Sequence, residues 1–420
     1  MFMRKKLLIA LSIIVLLAGG AVFSDILVPA THVYYDRKAM MTTTASSSAT
    51  SVLSAPAAPP AFVVTHISPP STVKAAYMTS CIASGKKLRA PLLALIDGTE
   101  LNALVIDIKD FTGLISFETG DPRFLLNTKG CYVPDMKEFI GELHKKNIYV
   151  IGRVTVMQDT VYPKSHPDVA VKRRSDGAIW KDKKGLTFID PGAVEYWDHM
   201  IDLGKASYAV GFDEINYDYI RFPSDGDMSN IKFARTGTTT KAAMMKKFYE
   251  HLGGGMRKAG IPISADLFGM TTTNTDDLNI GQILEDALRN FDYVAPMVYP
   301  SHYPPGFNGW KNPNAVPYEI IKFSMDKAVA RANKLEEKES GWVPPTPATT
   351  TSGVSAQGGT TGQAGATATS SQKFIPKGIY ANKLRPWIQD FDYGKVYTEA
   401  DVRAQKKAVY DSGLSSFMVW

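Results

Sequence analysis

The chain has 420 residues, of which 45% are hydrophobic, and a formal net charge of +6. That is material for a large core in one to three domains, and two cysteines are too few for a disulfide scaffold. Arg4, Lys5 and Lys6 supply half of the net charge, and the longest basic run in the body, Lys172 to Arg174, is too short for a nucleic-acid footprint.

The N-terminus, MFMRKK followed by the apolar run Leu7 to Phe23, has the pattern of an export signal or signal anchor. The run is just long enough to span a bilayer. Residues 1–27 are therefore expected to direct export, leaving the protein either tethered outside the membrane or secreted after cleavage. Residues 28–72 read as a linker, because the stretch from Met41 to Pro70 is rich in Ser, Thr, Ala and Pro and lacks apolar periodicity. A second such stretch, about 336–372, reads as an insertion within the following domain, residues 73–420. The chain stops at Trp420, inside the expected last strand, so the outer layer there is expected to be incomplete or replaced by the N-terminal segment.

Within 73–420, eight β-like runs alternate with amphipathic helical ones. The runs are Val73–Met78, Ala103–Lys109, Ile148–Val156, Gly211–Tyr219, Ile261–Gly269, Tyr293–Tyr299, Ile375–Tyr380 and Ser416–Trp420. Apolar stripes at helical spacing lie between them, such as Leu88, Leu92, Leu95 and Ile96, or Met136, Phe139, Ile140 and Leu143. Alternating strands and helices imply parallel strands with right-handed crossovers. Eight repeats predict a closed (β/α)8 barrel, with an open doubly wound sheet as the alternative.

Strand alternation then sorts the side chains. Leu104, Ile106 and Ile108 face the helices, which turns Asp107 and Lys109 inward; Ile263, Ala265 and Leu267 face outward, which turns Asp266 inward. Arg153 and Thr155 lie opposite Val150, Gly152 and Val154. In GFDEINYDYIRFP, Glu214, Asn216 and Asp218 share one face, and Asp213, Ile215 and Tyr217 the other. Acids in such an apolar run need a purpose, since burying an unpaired charge costs roughly several kcal/mol. Carboxylates around a pocket suit glycosidic bond cleavage, where one is protonated and the other ionised.

The succession ELNALVIDIKD, IGRVTV, GFDEINYDYIRFP, ISADLFG, DYVAPMVYPSHY and RPWIQDF resembles the "Putative glycosyl hydrolase domain" family of microbial proteins, which belongs among the glycoside-hydrolase-like TIM barrels. The resemblance covers Val73 to Trp420 without the insertion, and it implies a carbohydrate-active barrel. By analogy with related barrels, Asp218 is the candidate nucleophile or base and Asp266 the partner acid. Asp213 or Glu214 could exchange roles with Asp218 if a bulge upsets the alternation, and Asp107 completes the acidic set.

Lys109, Arg153, Arg221, Tyr299, His302 and Trp387 are the candidate substrate-binding residues, with Trp180, Tyr303 and Trp310 as further aromatic candidates for stacking on a sugar face. No cofactor or metal motif is present, so none is expected. Cys81 and Cys131 either pair or remain thiols. The expected partner is a polysaccharide or cell-envelope glycan, cleaved by an exported glycoside hydrolase. A non-catalytic glycan-binding barrel and a metal-dependent deacetylase or esterase are the alternatives.

Overall fold

The computed structural model describes residues 63–341 and 375–420. Eight parallel strands form a closed barrel: β1 (Lys74–Met78), β2 (Ala103–Lys109), β3 (Tyr149–Thr155), β4 (Glu214–Asp218), β5 (Ile263–Phe268), β6 (Tyr293–Met297), β7 (Trp387–Ile388) and β8 (Phe417–Val419). Each strand hydrogen-bonds to its sequence neighbour, and β8 closes on β1 through Lys74–Phe417, Ala75–Met418 and Ala76–Val419. The long helices alternate with them: α1 (Lys86–Asp97), α2 (Met136–Lys145), α3 (Val194–Val210), α4 (Lys241–Lys258), α5 (Leu284–Asn290), α6 (Pro317–Glu339) and α7 (Glu399–Asp411). This is a (β/α)8 TIM barrel.

The apolar residues divide into two cores, as strand alternation requires. The outer core holds Leu104, Ile106, Ile108, Val150, Val154, Ile215, Tyr217, Ile263, Ala265 and Leu267 against the helices. The inner one holds Ala75, Ala103, Val105, Tyr149, Ile151, Ala295, Trp387 and Met418 inside the barrel, with Ile67 packed against it. The outer wall is tight at Gly152, where a Cβ would come within 2.2 Å of Ile108 and 2.8 Å of Phe212.

Three expectations change. The seventh strand is Trp387–Ile388, not Ile375–Tyr380. The backbone N–H groups of Lys377 and Ile379 donate instead to the Glu336 carboxylate on α6, at 2.6 and 2.9 Å, which makes that segment a loop pinned to a helix. α6 itself runs to Glu339, so the start of the expected insertion is helical; its residues 342–372 lie outside the described residues. On α1, Leu88 and Leu95 are exposed, and Arg89 is buried over the Phe139 ring, paired with Asp135 at 2.5 Å.

Cys81, after β1, and Cys131, in the β2–α2 loop, form a disulfide. Among the described residues no helix is long and apolar enough to cross a membrane; the Leu7–Phe23 run and residues 28–62 of the linker lie outside them.

Candidate active site

Asp218 ends β4 and Asp266 lies near the end of β5, on strands joined through the register pairs Asn216–Ser264 and Tyr217–Ala265. Tyr217 points outward, so the next residue on each strand points in. This is the end of a (β/α) barrel where function is built.

A chain of charge-assisted hydrogen bonds crosses the barrel. The Arg153 guanidinium donates to Asp218 Oδ2 at 2.5 and 3.2 Å and to Asp107 Oδ1 at 2.7 Å. Tyr77 donates its hydroxyl to Asp107 Oδ2 at 2.5 Å. Asp218 Oδ1 accepts from the Tyr219 backbone N–H at 2.6 Å. Asp218 is therefore an acceptor on both oxygens. Burial alone would lower the Arg153 pKa, but Asp218 and Asp107 outweigh it and hold the guanidinium charged. Burial raises the Asp107 carboxyl above its usual range, against the pull of Arg153 and Tyr77.

Asp266 is held differently. Its Oδ1 accepts from Asn216 Nδ2 at 2.9 Å and from the Trp387 indole at 2.7 Å, while Oδ2 has no partner. Burial, reinforced by the nearby Asp218 charge, pushes the Asp266 carboxyl up to about 8. It is thus protonated at neutral pH, next to a carboxylate that only accepts. The Tyr299 hydroxyl, Asn216 Oδ1 and Thr155 hydroxyl, on inward positions around it, are likewise buried without partners.

Tyr219, directly after Asp218, has φ +52°, a left-handed conformation that costs a bulky side chain energy and recurs at functional sites. Beyond it, Tyr219, Arg221, Ser224 and Asp225 line a cleft of about 280 Å³ with Phe111 and Gln158. Arg221 sits between the Tyr219 and Phe268 rings at 4.8 and 4.6 Å.

Not every expected residue joins the site. Glu214 begins β4, four residues before Asp218, and is buried in an ion pair with Arg385 at 3.0 Å and a hydrogen bond from Tyr149 at 3.1 Å. It is a structural charge at the opposite end of the barrel. Asp213 lies before β4 and accepts from the Ile67 and Val150 backbone N–H groups, with His144 at 2.9 Å; it fastens the segment before β1. Lys109 turns away because a bulge after Asp107 pairs it with Val154 on the outer face; there it binds Asp159 at 2.9 Å and the Thr155 carbonyl at 2.6 Å. Trp387 is fully buried and positions Asp266 without a face for stacking.

Tyr299 reaches the interior. His302 packs beside it at 5.3 Å, and burial lowers the His302 pKa. Trp180 is buried with its indole on the Asp227 carbonyl, Tyr303 is buried against Ser324, and Trp310 packs on the outer core.

Sequence reasoning missed three residues. Tyr77 and Trp420 stack at 3.8 Å, and Trp420 also lies 4.8 Å from the Arg153 guanidinium. Asn216, on the inward face of β4, holds Asp266 through its amide, a role that alternation alone does not reveal. The signal for the position of all three was strand parity: Tyr77 follows inward Ala75, and Trp420 follows inward Met418.

The family described as "Putative glycosyl hydrolase domain" matches residues 75–354 and 362–420. The chain belongs to this family. No curated protein matches it. Among solved structures, the PgaB (BpsB) glycoside hydrolase domain from Bordetella bronchiseptica is similar at 12% identity and TM-score 0.53, over 84% of this chain and 94% of that one. A hypothetical protein from Ruminiclostridium thermocellum is 28% identical with TM-score 0.40, over 49% of this chain and 98% of that one. An alpha-galactosidase from Thermus thermophilus is 11% identical with TM-score 0.44, over 83% and 57%. The likeness to the Bordetella domain is one of fold, and it agrees with the family's barrel.

Proposed function

We propose that this protein is an exported glycoside hydrolase acting on a polysaccharide or cell-envelope glycan, with Asp266 as proton donor and Asp218 as nucleophile or base. The observation that carries the reading is the split between two neighbouring carboxyl groups. Asp266 keeps its proton to about pH 8, while Asp218 accepts from Arg153 and the Tyr219 N–H. Asp266 passes its proton from Oδ2 to the glycosidic oxygen as the bond to the anomeric carbon breaks. Asp218 either takes a proton from the attacking water, with solvent restoring both carboxyl groups afterwards, or attacks that carbon to form a glycosyl ester; water then gives a proton to the Asp266 carboxylate and cleaves the ester, which frees Asp218. Arg153 is a positioning residue for Asp218.

Asp218 and Asp266 are both buried, so a sugar ring reaches them only when the mouth of the barrel opens. The Cys81–Cys131 disulfide supports export, since such bonds persist in oxidising compartments. The test is incubation with a panel of microbial wall glycans, reading released reducing ends and product masses.

The burial of both acids also favours a second reading, a glycan-binding barrel without turnover. It expects glycan retention with no released ends. Among the described residues no cluster of three or more His, Cys, Asp or Glu side chains could hold a metal ion.

A further inference from the structure

A second cavity, of about 330 Å³, opens on the flank of the barrel between the β2–α2 loop, the β3–α3 loop and α3. Its floor is the buried pair Lys109–Asp159, and its mouth is formed by exposed residues including Arg123, Leu125 and His166.

The charges around this cavity are spent on one another. Asp159 accepts from Lys109, from the Tyr196 hydroxyl at 3.0 Å, and from the Val161 and Tyr162 N–H groups, both at 2.8 Å. Arg123 is committed to Asp121 and Asp202 at 2.6 and 2.9 Å. Two neutral polar groups are left over. The Tyr162 hydroxyl and the ring nitrogens of His199 line the cavity with no hydrogen-bond partner among the described residues. Burial, helped by the Lys109 charge, lowers His199 to about 4, so its imidazole is uncharged at neutral pH, with one donor and one acceptor nitrogen. Packed rings complete the lining: Phe124 lies 4.7 Å and Tyr162 4.8 Å from the His199 ring, Tyr162 stacks on His166 at 4.1 Å, and Ile115 and Leu203 are buried beneath.

We propose that this flank cavity is a second binding site, for a single uncharged sugar ring held by Tyr162, His199 and Phe124. Neutral donors and acceptors suit the hydroxyls of a sugar, the apolar ring edges of Phe124 and Tyr162 suit its C–H groups, and the volume fits one ring rather than a chain. A carboxylated or phosphorylated sugar would meet no unpaired cation here. Gly113 shapes the wall: it has φ +84°, and a Cβ there would come within 2.2 Å of Asp159 Oδ1. The site contains neither Asp218 nor Asp266, so it stands or falls separately from the hydrolase reading.

The experiment titrates the full chain with glucose, galactose, N-acetylglucosamine and glucuronate at pH 7, following the imidazole carbon-bound protons of His199 by NMR. At least one neutral sugar should shift them saturably at millimolar concentration. Tyr162→Phe, which removes only the hydroxyl, should weaken that binding about threefold to tenfold, the effect of one hydrogen bond. Asp218→Asn should leave it unchanged. The proposal is overturned if no neutral sugar gives a saturable shift, if glucuronate binds more tightly than glucose, or if Tyr162→Phe, read at His199, and His199→Phe, read by titration calorimetry against the wild type, both bind unchanged.

Discussion

Trp387 donates its indole N–H to Asp266 Oδ1 at 2.7 Å, which fixes the carboxyl and leaves Oδ2 as the free oxygen. This bond favours the ionised form of Asp266, so it works against the burial that holds the proton on. Trp387→Phe keeps a buried ring and removes the donor. Activity on any cleaved glycan should fall, and the alkaline limb of its pH–rate profile should move to higher pH. A purely structural role would lower activity without moving that limb.

The same carboxyl makes stability depend on pH. Asp266 is raised from its ordinary 3.8 to about 8, so the folded state holds a proton that the unfolded chain has already lost. Its contribution is fully present below about pH 4 and is lost as pH rises through about 8, with a limiting slope of about 1.4 kcal/mol per pH unit. In Asp266→Asn this slope disappears. Denaturant melts at pH 5 and pH 8 should show the variant gaining on the wild type as pH rises.

Glu214 provides the contrast, an acid within the motif with no place in the chemistry. Glu214→Ala leaves Arg385 buried without its partner and should cost about 3–5 kcal/mol of stability. Where the variant still folds, the pH dependence of turnover should match the wild type, and thermal denaturation alone should register the change.

The disulfide closes a loop with a sequence separation of 50. Replacing Cys81 and Cys131 by Ser should lower stability by about 2–4 kcal/mol, measured by denaturant titration against the oxidised wild type.

Much of this architecture was legible in strand parity. The outward sets on β2, β3, β4 and β5 follow alternation, and so do the inward positions of Asp107, Arg153, Asp218 and Asp266. Parity failed at Lys109, because a bulge is a feature of pairing with a neighbouring strand and leaves no mark in the local run. The seventh strand was misplaced for a related reason. Its two residues take their place from partners on β6 and β8, whereas Ile375–Tyr380 is apolar enough to read as a strand yet has its backbone donors drawn off by Glu336. The role of Glu214 needed Arg385, 171 positions away, which no local pattern could supply.

The most direct measurement compares turnover by the wild type, Asp218→Asn and Asp266→Asn on the best-cleaved glycan of the panel, with circular dichroism melts as the folding control. Both variants should lose about 10²–10⁴-fold in kcat while keeping a cooperative melt. Wild-type turnover in either folded variant would contradict the assignment of these two carboxyl groups.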